Sequence, residues 1–288
     1  MIRRSSGHNG VMPPSPASTQ SSPAPGRRVR VATFNIHHGA NSRNVLNLES
    51  TAHALEALEA DVIGLQEVDR FFGTRSDFVD QAAWLADRLD MHAQFAPTID
   101  LDPSRRSVER VGISTRRQYG VAVLSRFPIL ESHMARLPEN RLIERRAVLR
   151  ARIDADGVPF AFSVTHLALG PAKSRRAQFR AAREVAFAGE EPAVLVGDLN
   201  AAPSQVRDYA VFTKGLIDVW AAKHRFPLAK RLLGRTNPVL PIPMRRIDYI
   251  LASRSIRPIS AKTHRTHASD HLPVVAELEI PHADPATK

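Results

Sequence analysis

The stretch "VLVGDLNAAP", residues 194–203, runs from an apolar segment directly into two polar side chains. Three aliphatic residues predict a buried strand; Asp198 and Asn200 follow, and Pro203 ends the segment. Because side chains alternate along a strand, Asp198 and Asn200 are expected on the same face. Two hydrogen-bonding groups at the end of a buried strand can therefore contact the same bound group.

The rest of the chain alternates between strand and helix patterns. Apolar spacings of three and four predict helices at about Leu46 to Ala60, in "FVDQAAWLADRLD", at about Pro171 to Ala188 and in "SQVRDYAVFTKG", where Ser204 is the expected cap. Strands are predicted from Val29 to "NIHHG" and in "DVIGLQEVD", "YGVAVLS", "AVLRARI", "VPFAFSVTHL", "AVLVGDLN", "RIDYILAS" and "PVVAELEI". The turn "DADG" favours a hairpin. Many strands with few long helices indicate an α/β fold of two packed sheets with helices outside.

The composition excludes several kinds of chemistry. The 288-residue chain has no cysteine, which excludes disulfides, thiolate nucleophiles and thiolate-bound zinc. Its apolar runs are shorter than the ~18 residues that a membrane span needs. The amino terminus lacks the apolar region of a secretory signal, so we expect a cytoplasmic protein, monomeric and without a transmembrane segment.

The charge is positive and unevenly distributed. Residues 1–28 hold four arginines, no acidic residue and many Ser and Pro, which predicts a disordered tail. Removing those four charges from the formal net charge of +11 leaves +7 on residues 29–288, an excess that favours an anionic partner. We expect one folded domain over residues 29–280 and a short tail over residues 281–288.

Polar side chains stand at or near the ends of the predicted strands. These carboxylates, amides and histidines are Asn35, Glu67, His166, Asp198, Asn200, Asp248, Asp270 and His271. Taken singly, each is explained by a strand cap or a turn. Gathered at one edge of a sheet, they indicate a hard cation, because Mg²⁺ prefers oxygen ligands and leaves positions for phosphate oxygens.

An ordered series of motifs resembles the endonuclease/exonuclease/phosphatase family. The motifs are "TFNIHHG", "LQEVD", "YGVAVLSRFPI", "VTHLAL", "GDLN", "RIDYIL" and "SDHLPV", spread over about residues 29–280. The resemblance implies a four-layer α/β/β/α sandwich, with two mostly antiparallel sheets face to face and helices outside. It also implies a metal-dependent phosphohydrolase.

The resemblance implies a metal site. Glu67 of "LQEVD" would be the principal ligand of Mg²⁺, for which Mn²⁺ can substitute. Asn35 would lie beside it, and Asp270 of "SDH" would lie close to the metal.

The resemblance also implies catalytic roles. Asp198 and Asn200 would position the attacking water and the scissile phosphate. His271 would pair with Asp248, as a carboxylate fixes an imidazole tautomer in other sites. His166 would contact the phosphate or assist the leaving oxygen. Whether Asp198 or His271 is the general base stays open.

Two basic segments bear on the substrate. Residues 103–118 carry five arginines and one acid, and residues 221–246 carry seven Lys or Arg and no acid. If both flank the cleft, they would bind a polyanion. A phosphodiesterase acting on nucleic acid is the leading prediction. The alternative is a phospholipid- or inositol-phosphate-directed enzyme of sphingomyelinase type. A catalytically inactive binding module is disfavoured by the complete set of motifs.

Four further residues near the motifs are assigned no role. His38 is expected to bond locally, and His37 is equally open to facing the site. Tyr119 is expected to be a strand-edge residue. Arg146 fits either a substrate contact or an exposed strand start.

Overall fold

A computed structural model gives the fold of most of the chain. It describes residues 26–105, 108–109, 115–139, 144–224, 226, 234–238 and 243–282. Most of the predicted amino-terminal tail, parts of both basic segments and the end of the predicted carboxyl-terminal tail lie outside these residues. Over the described ranges, none of the helices has the length and apolarity to cross a bilayer.

Six strands form the first sheet. They are β1 Arg27–Asn35, β2 Val62–Arg70, β3 His92–Leu101, β4 Arg117–Ser125, β13 Arg257–Thr263 and β14 Val274–Ile280. Their order across the sheet is β13-β14-β1-β2-β4-β3. Neighbours pair antiparallel except β1 and β2, which run parallel.

Six more strands form the second sheet. They are β5 Ile129–Arg136, β6 Ala147–Asp154, β7 Pro159–His166, β8 Ala193–Asp198, β9 Ile217–Asp218 and β12 Asp248–Ala252. Their order is β5-β6-β7-β8-β12-β9, with β7 and β8 parallel and the other pairs antiparallel. The predicted hairpin is confirmed by the pairing of β6 with β7. A separate two-stranded ladder joins β10, Asn237–Pro238, to β11, Pro243–Arg245.

Among the described residues, four α-helices cover the outer faces of the sheets, and a fifth, short α-helix contributes Val219 and Trp220 to the apolar cluster between the sheets. They are α1 Leu48–Glu56, α2 Gln81–Leu89, α3 Ala172–Ala186, α4 Val206–Thr213 and the short α5 Val219–Lys223. The side chains of Asn47 and Asp80 cap α1 and α2 by accepting backbone N–H bonds. The predicted cap Ser204 was wrong, because α4 begins one residue later, with Gln205 at its N-cap position and no side-chain cap.

Three apolar layers hold the elements together. Val31 of β1 and Phe162 of β7 belong to one buried cluster, which therefore fills the space between the sheets. Phe34, on the opposite face of β1, packs in a second cluster with Leu55 of α1. Phe179 of α3 packs in a third cluster against the outer face of the second sheet. This arrangement is the four-layer α/β/β/α sandwich expected from the sequence.

Two glycines mark places where backbones and sheets approach closely. A Cβ on Gly64 would lie 2.4 Å from Val196 Cγ2 on the facing sheet. Gly197 has a φ of 147°, and a Cβ there would lie 1.9 Å from the carbonyl oxygen of Thr165. The glycine of "GDLN" is therefore required where β8 passes β7, one residue before Asp198.

Several predicted boundaries needed correction. β1 begins at Arg27, two residues inside the predicted tail, and Arg27 pairs with Ile280 of β14. The strands β3, β5, β9, β10, β11 and β13 were missed, and β4 begins at Arg117 within the predicted loop of residues 103–118. Four of them, β3, β5, β9 and β13, lie at the edge of a six-stranded sheet, and β10 and β11 form the separate two-stranded ladder.

Candidate active site

At one edge of the second sheet, the last residues of β7 and β8 and the first residue of β12 lie beside one another. The register pairs His166 of β7 with Asp198 of β8, and Asp198 with Asp248 of β12. All three side chains are buried, with exposed fractions of 5%, 2% and 1%. One histidine and two carboxylates therefore lie side by side at a single edge of the sheet.

Asn200 joins them through the turn after β8. The strand ends at Asp198, so the alternation expected for Asn200 does not extend to it. Asn200 has a left-handed backbone with φ of 49°, and its backbone N–H donates to Asp198 Oδ1 at 2.9 Å. Its side-chain Nδ2 donates to the carbonyl of Leu167 at 2.9 Å and lies 3.2 Å from His166 Nε2. The two polar groups of "GDLN" thus meet at one place by way of a turn.

Glu67 comes from the first sheet. It lies at an irregularity in the pairing of β2 with β4, between Gln66 and Val68, and its φ is 58°. A left-handed backbone is uncommon for a residue with a side chain, and it clusters at functional sites. A bulge of this kind re-aims a side chain, and here it separates half-buried Glu67 from the regular ladder.

Asn35 connects the two sheets. At the end of β1, its Nδ2 donates to Glu67 Oε1 at 2.9 Å and to Asp198 Oδ2 at 3.3 Å. Its Oδ1 accepts the backbone N–H of His37 at 3.1 Å. This orientation is chemically consistent, because the amide nitrogen faces two carboxylates and the amide oxygen faces a donor. Asn35 therefore fixes Glu67 and Asp198 relative to each other.

The segment "SDH" is held against the end of β1. Ser269 Oγ donates to the carbonyl of Asn35 at 2.8 Å and accepts the backbone N–H of His271 at 3.1 Å. Asp270, between them, keeps 39% of its side chain exposed. The serine thus places Asp270 beside the site and turns His271 inward.

His271 completes the group of catalytic candidates. Its Nδ1 lies 3.0 Å from Asp248 Oδ2, and its Nε2 lies 3.7 Å from Asp198 Oδ2. Asn237, which no motif marks, brings its side-chain amide to 2.9 Å from His271 Nε2. The neighbouring Thr236 fixes this contact, because its Oγ1 accepts the backbone N–H of Asp248 at 3.3 Å.

The environment moves the pKa values of these groups apart. Burial opposes the charged form of His271, but Asp248, Asp198 and Asp270 outweigh it and raise its pKa to about 10. Burial and the neighbouring Asp248 raise the pKa of Asp198 to about 7, against the opposing effect of His271. Burial, with Arg146 and His271, holds the pKa of His166 well below its usual range. At neutral pH His271 is therefore a cation and His166 is neutral.

Arg146 lies in the site, and the sequence alone did not decide between this position and an exposed one. The reading of Arg146 as an exposed strand start was wrong, since only 6% of the residue is exposed. Its Nη1 lies 2.9 Å from His166 Nδ1, and its Nη2 lies 3.2 Å from Glu144. Tyr119 is also buried, and it lies close enough to Arg146 for the two groups to interact electrostatically. An arginine ahead of a predicted strand carries no signal of this contact.

Of the two flanking histidines, His38 behaves as expected. Its Nε2 lies 3.0 Å from Asn44 Oδ1, a local contact six residues along the chain. His37 Nδ1 lies 3.9 Å from Asp270 Oδ1, at the side of the site.

One group of described side chains is close enough together to hold a cation, and Glu67 and Asp270 are candidates by their chemistry. Ligand atoms of Asp198, Asp248 and His271 lie within 4.8 Å of one another. However, the His271–Asp248 contact is a hydrogen bond that needs a proton between its partners. The carboxylates of Glu67 and Asp270 are only partly buried and offer oxygen donors, which fit a hard cation. The metal roles of Glu67, Asp270 and Asn35 stay predictions.

The sequence from residue 32 to residue 271 matches the model of the endonuclease/exonuclease/phosphatase family. The chain belongs to this family. Its members are hydrolases that act on phosphoester bonds, and they generally depend on a divalent metal. The matched range contains all eight predicted site residues.

Solved structures of the family share the fold. A family protein from Beutenbergia cavernae is 26% identical, covers 88% of this chain and 72% of its own, and has a TM-score of 0.71. A mannosyl-6-phosphatase from Bacteroides thetaiotaomicron is 20% identical, covers 87% and 99%, and has a TM-score of 0.61. The human nocturnin catalytic domain, with bound sulfate, is 20% identical, covers 88% and 94%, and has a TM-score of 0.60.

Two basic residues predicted to bind substrate have partners within the protein. Arg246 is buried, and its Nη2 bonds Asp218 at 2.6 Å. Arg116 pairs with Asp100 at 2.6 Å and with Asp102 at 2.8 Å. Assigning Arg246 to a polyanion surface was therefore wrong, because its charge is buried in an ion pair, whereas the side chain of Arg116 is 49% exposed and its assignment stays a prediction.

Proposed function

We propose that this chain hydrolyses a phosphodiester with the help of a bound divalent cation. One observation carries the proposal: side chains from distant segments converge through direct contacts. His271 pairs with Asp248, Asp198 lies within 3.7 Å of His271 and 3.5 Å of His166, and Asn35 links Asp198 to Glu67. This combination of acid, base and amide groups suits in-line attack on phosphorus.

Glu67 and Asp270, with Asn35 beside them, are the residues we assign to the cation. Mg²⁺ at this place would neutralise charge on a phosphoryl group and act as a Lewis acid. Asn35 keeps Glu67 beside Asp198, so that the cation's ligand and the groups around phosphorus are held in one arrangement. We propose Mg²⁺ as the natural ion, with Mn²⁺ as a substitute.

Asp198 is our candidate for the general base. Its pKa of about 7 makes it a better proton acceptor than an ordinary carboxylate while leaving much of it ionised at neutral pH. His271 has a pKa of about 10 and therefore already carries its proton. His271, held by Asp248, would stabilise negative charge on a phosphoryl or leaving oxygen, and Asn200 would hold the phosphate.

Nucleic acid is the substrate class that we place first. The excess of +7 over residues 29–288 supports it. Arg245 is exposed in the second basic segment and is available to a polyanion. Arg116 and Arg246 lend no support, because acids within the protein already pair with them. A phospholipid diester is the second candidate, with the same chemistry at phosphorus, whereas cleavage of an inositol phosphate, a monoester, would instead make the chain a phosphatase.

A substrate panel tests the proposal. The purified chain would be assayed with Mg²⁺ against double-stranded DNA, single-stranded DNA, RNA, sphingomyelin vesicles, inositol phosphates and two aryl esters, a phosphodiester and a phosphomonoester. A His271→Gln preparation, purified in parallel, controls for contaminating nuclease. Chelator-sensitive cleavage of a diester by the wild type alone is expected. Activity on the monoester alone, or activity that survives chelation, would refute the proposal.

A further inference from the structure

The contact between Arg146 and His166 has a consequence for how the site handles protons. Arg146 Nη1 lies 2.9 Å from His166 Nδ1, and both side chains are almost fully buried. A guanidinium has only N–H donors and no acceptor, and it keeps its charge in proteins. His166 Nδ1 must therefore present a lone pair to Arg146.

This requirement fixes the state of the whole ring. An imidazolium would set an N–H of His166 against an N–H of Arg146, so the ring is neutral. A neutral imidazole with a lone pair on Nδ1 carries its single proton on Nε2. Burial and the charge of Arg146 act in the same direction, because both hold the pKa of His166 well below its usual range.

The proton on Nε2 points at the groups around phosphorus. His166 Nε2 lies 3.5 Å from Asp198 Oδ2 and 3.2 Å from Asn200 Nδ2. Since Nε2 carries a proton, the contact with Asn200 brings together two donors rather than a donor and an acceptor. Two N–H groups side by side form a pocket for an oxygen that bears negative charge.

The opposite histidine has the reverse arrangement. His271 Nδ1 faces a carboxylate oxygen of Asp248. An ionised carboxylate only accepts hydrogen bonds, so Nδ1 must be the donor. His166 Nδ1 faces a guanidinium, which can only donate. The two rings on either side of Asp198 are thus locked into different states by partners of opposite character.

We propose that Arg146 is a positioning residue that holds His166 as the neutral tautomer protonated on Nε2. In that state His166 donates a hydrogen bond to a phosphoryl oxygen and does not serve as the general acid. Glu144 orients Arg146 from the far side through its contact with Nη2 at 3.2 Å. This inference rests on the proposed function for its role in turnover, whereas the tautomer itself does not depend on it.

Ring-nitrogen NMR tests the tautomer directly. Protein with ¹⁵N-labelled histidine would be kept in EDTA, and the His166 signals would be assigned from the spectrum of His166→Asn. The expected result is a protonated Nε2, an unprotonated Nδ1 and no titration between about pH 6 and 9, because the pKa lies below its usual range of about 6.5. A proton on Nδ1, or a titration near pH 6.5, would overturn the proposal, and the spectrum of the wild type is sufficient to show either.

Three variants test the role of Arg146. Arg146→Met removes the donor, Arg146→Gln keeps an N–H donor without the charge, and Arg145→Met changes the exposed neighbour, whose side chain is 62% exposed. In Arg146→Met we expect mixed tautomers, a higher His166 pKa, and a kcat lower by about 10–100-fold, the range that loss of an orienting partner costs. Arg146→Gln should keep the Nε2 tautomer and more of the rate, and Arg145→Met should resemble the wild type.

Two results would contradict this role. An unchanged His166 spectrum in folded Arg146→Met would show that the arginine does not set the tautomer. An equal loss of the tautomer in Arg145→Met would show a general effect of charge. If no variant or wild type cleaves any phosphoester, the proposed function fails, while the spectra still decide the state of His166.

Discussion

The side chains at the site were largely predictable, and their partners were not. His271 with Asp248, and Asp198 with Asn200, could be named because motifs place them at strand ends. Asn237 could not be foreseen, because its contact with His271 Nε2 depends on a segment 34 residues away in the chain. Such contacts are set by tertiary packing, which spacing in the sequence does not encode.

The carboxylate of Asp198 gives the most direct prediction about rate. Asp198→Asn removes the proposed base but keeps the shape of the side chain, so kcat should fall by about 10²–10⁴-fold. Thermal unfolding should show a folded protein. Asp156→Asn, in the exposed β6–β7 turn, is the matched control and should keep the full rate. Equal rates in the two variants would remove Asp198 from the mechanism.

The His271–Asp248 pair gives a prediction about pH. In the folded protein the pKa of His271 is about 10, above the ordinary value of 6.5, so folding favours the protonated ring. The contribution of the protonated His271 to the free energy of unfolding is fully present below about pH 6.5 and is lost as pH rises through about 10. Asp248→Asn removes a carboxylate that raises this pKa, so the loss should occur at lower pH.

Denaturant titrations from pH 6 to 10 in EDTA would measure this effect, with ¹⁵N NMR of His271 reporting its charge. The wild type should keep an imidazolium at pH 8.5, whereas Asp248→Asn should lose it. Should both proteins titrate at the same pH, Asp248 does not hold the proton. EDTA removes trace divalent metal, which would otherwise change the charge around Asp270.

At the scale of elements, the central strands were predictable and the edge strands were not. β1, β2, β7 and β8 are buried on both faces and read as apolar runs. β5, at an edge, exposes most of its residues, so "ILESHMAR" has no strong strand pattern. β3 contains Pro97 beside an irregular pairing with β4. Edge strands carry less of the core, and the sequence marks them weakly.

Two adjacent arginines, Arg245 at the end of β11 and Arg246 directly after it, show the difference between a charge that stabilises the fold and a charge that is available for binding. Arg246 is buried, bonds Asp218 and lies over the ring of Tyr249 at 4.4 Å, whereas Arg245 is exposed. Arg246→Met should lower the free energy of unfolding by about 3–5 kcal/mol, because the buried carboxylate of Asp218 would lose the charge that compensates it and keep only its hydrogen bonds to Tyr209 and the backbone of Ala221.

Arg245→Met should change stability by less than about 0.5 kcal/mol and, if the substrate is a polyanion, raise KM. Urea denaturation and steady-state kinetics measure both variants. A stable Arg246→Met protein with a raised KM would indicate that Arg246 contacts the substrate, contrary to its buried position in the structure.

At the scale of the whole molecule, the sandwich brings the site together from both sheets. The layer order followed from the pattern of strands and helices and from the family resemblance. The register that aligns His166, Asp198 and Asp248 did not, because it depends on which strands become neighbours. Asn35 then joins the second sheet to Glu67 of the first. A cation held at Glu67 and Asp270 should therefore stabilise the entire fold.

Binding to the native state alone raises stability by about 2.7 kcal/mol when the free ion is 100-fold above its Kd. We expect Mg²⁺ to raise the Tm of the wild type but not that of Glu67→Gln/Asp270→Asn, because neither amide carries the charge that attracts the ion. Glu131→Gln, on the exposed edge strand β5, is the control and should keep the full shift. Calorimetric scans with and without Mg²⁺ measure it. An undiminished shift in the double variant would place the cation elsewhere and separate metal binding from the Glu67–Asn35–Asp198 connection.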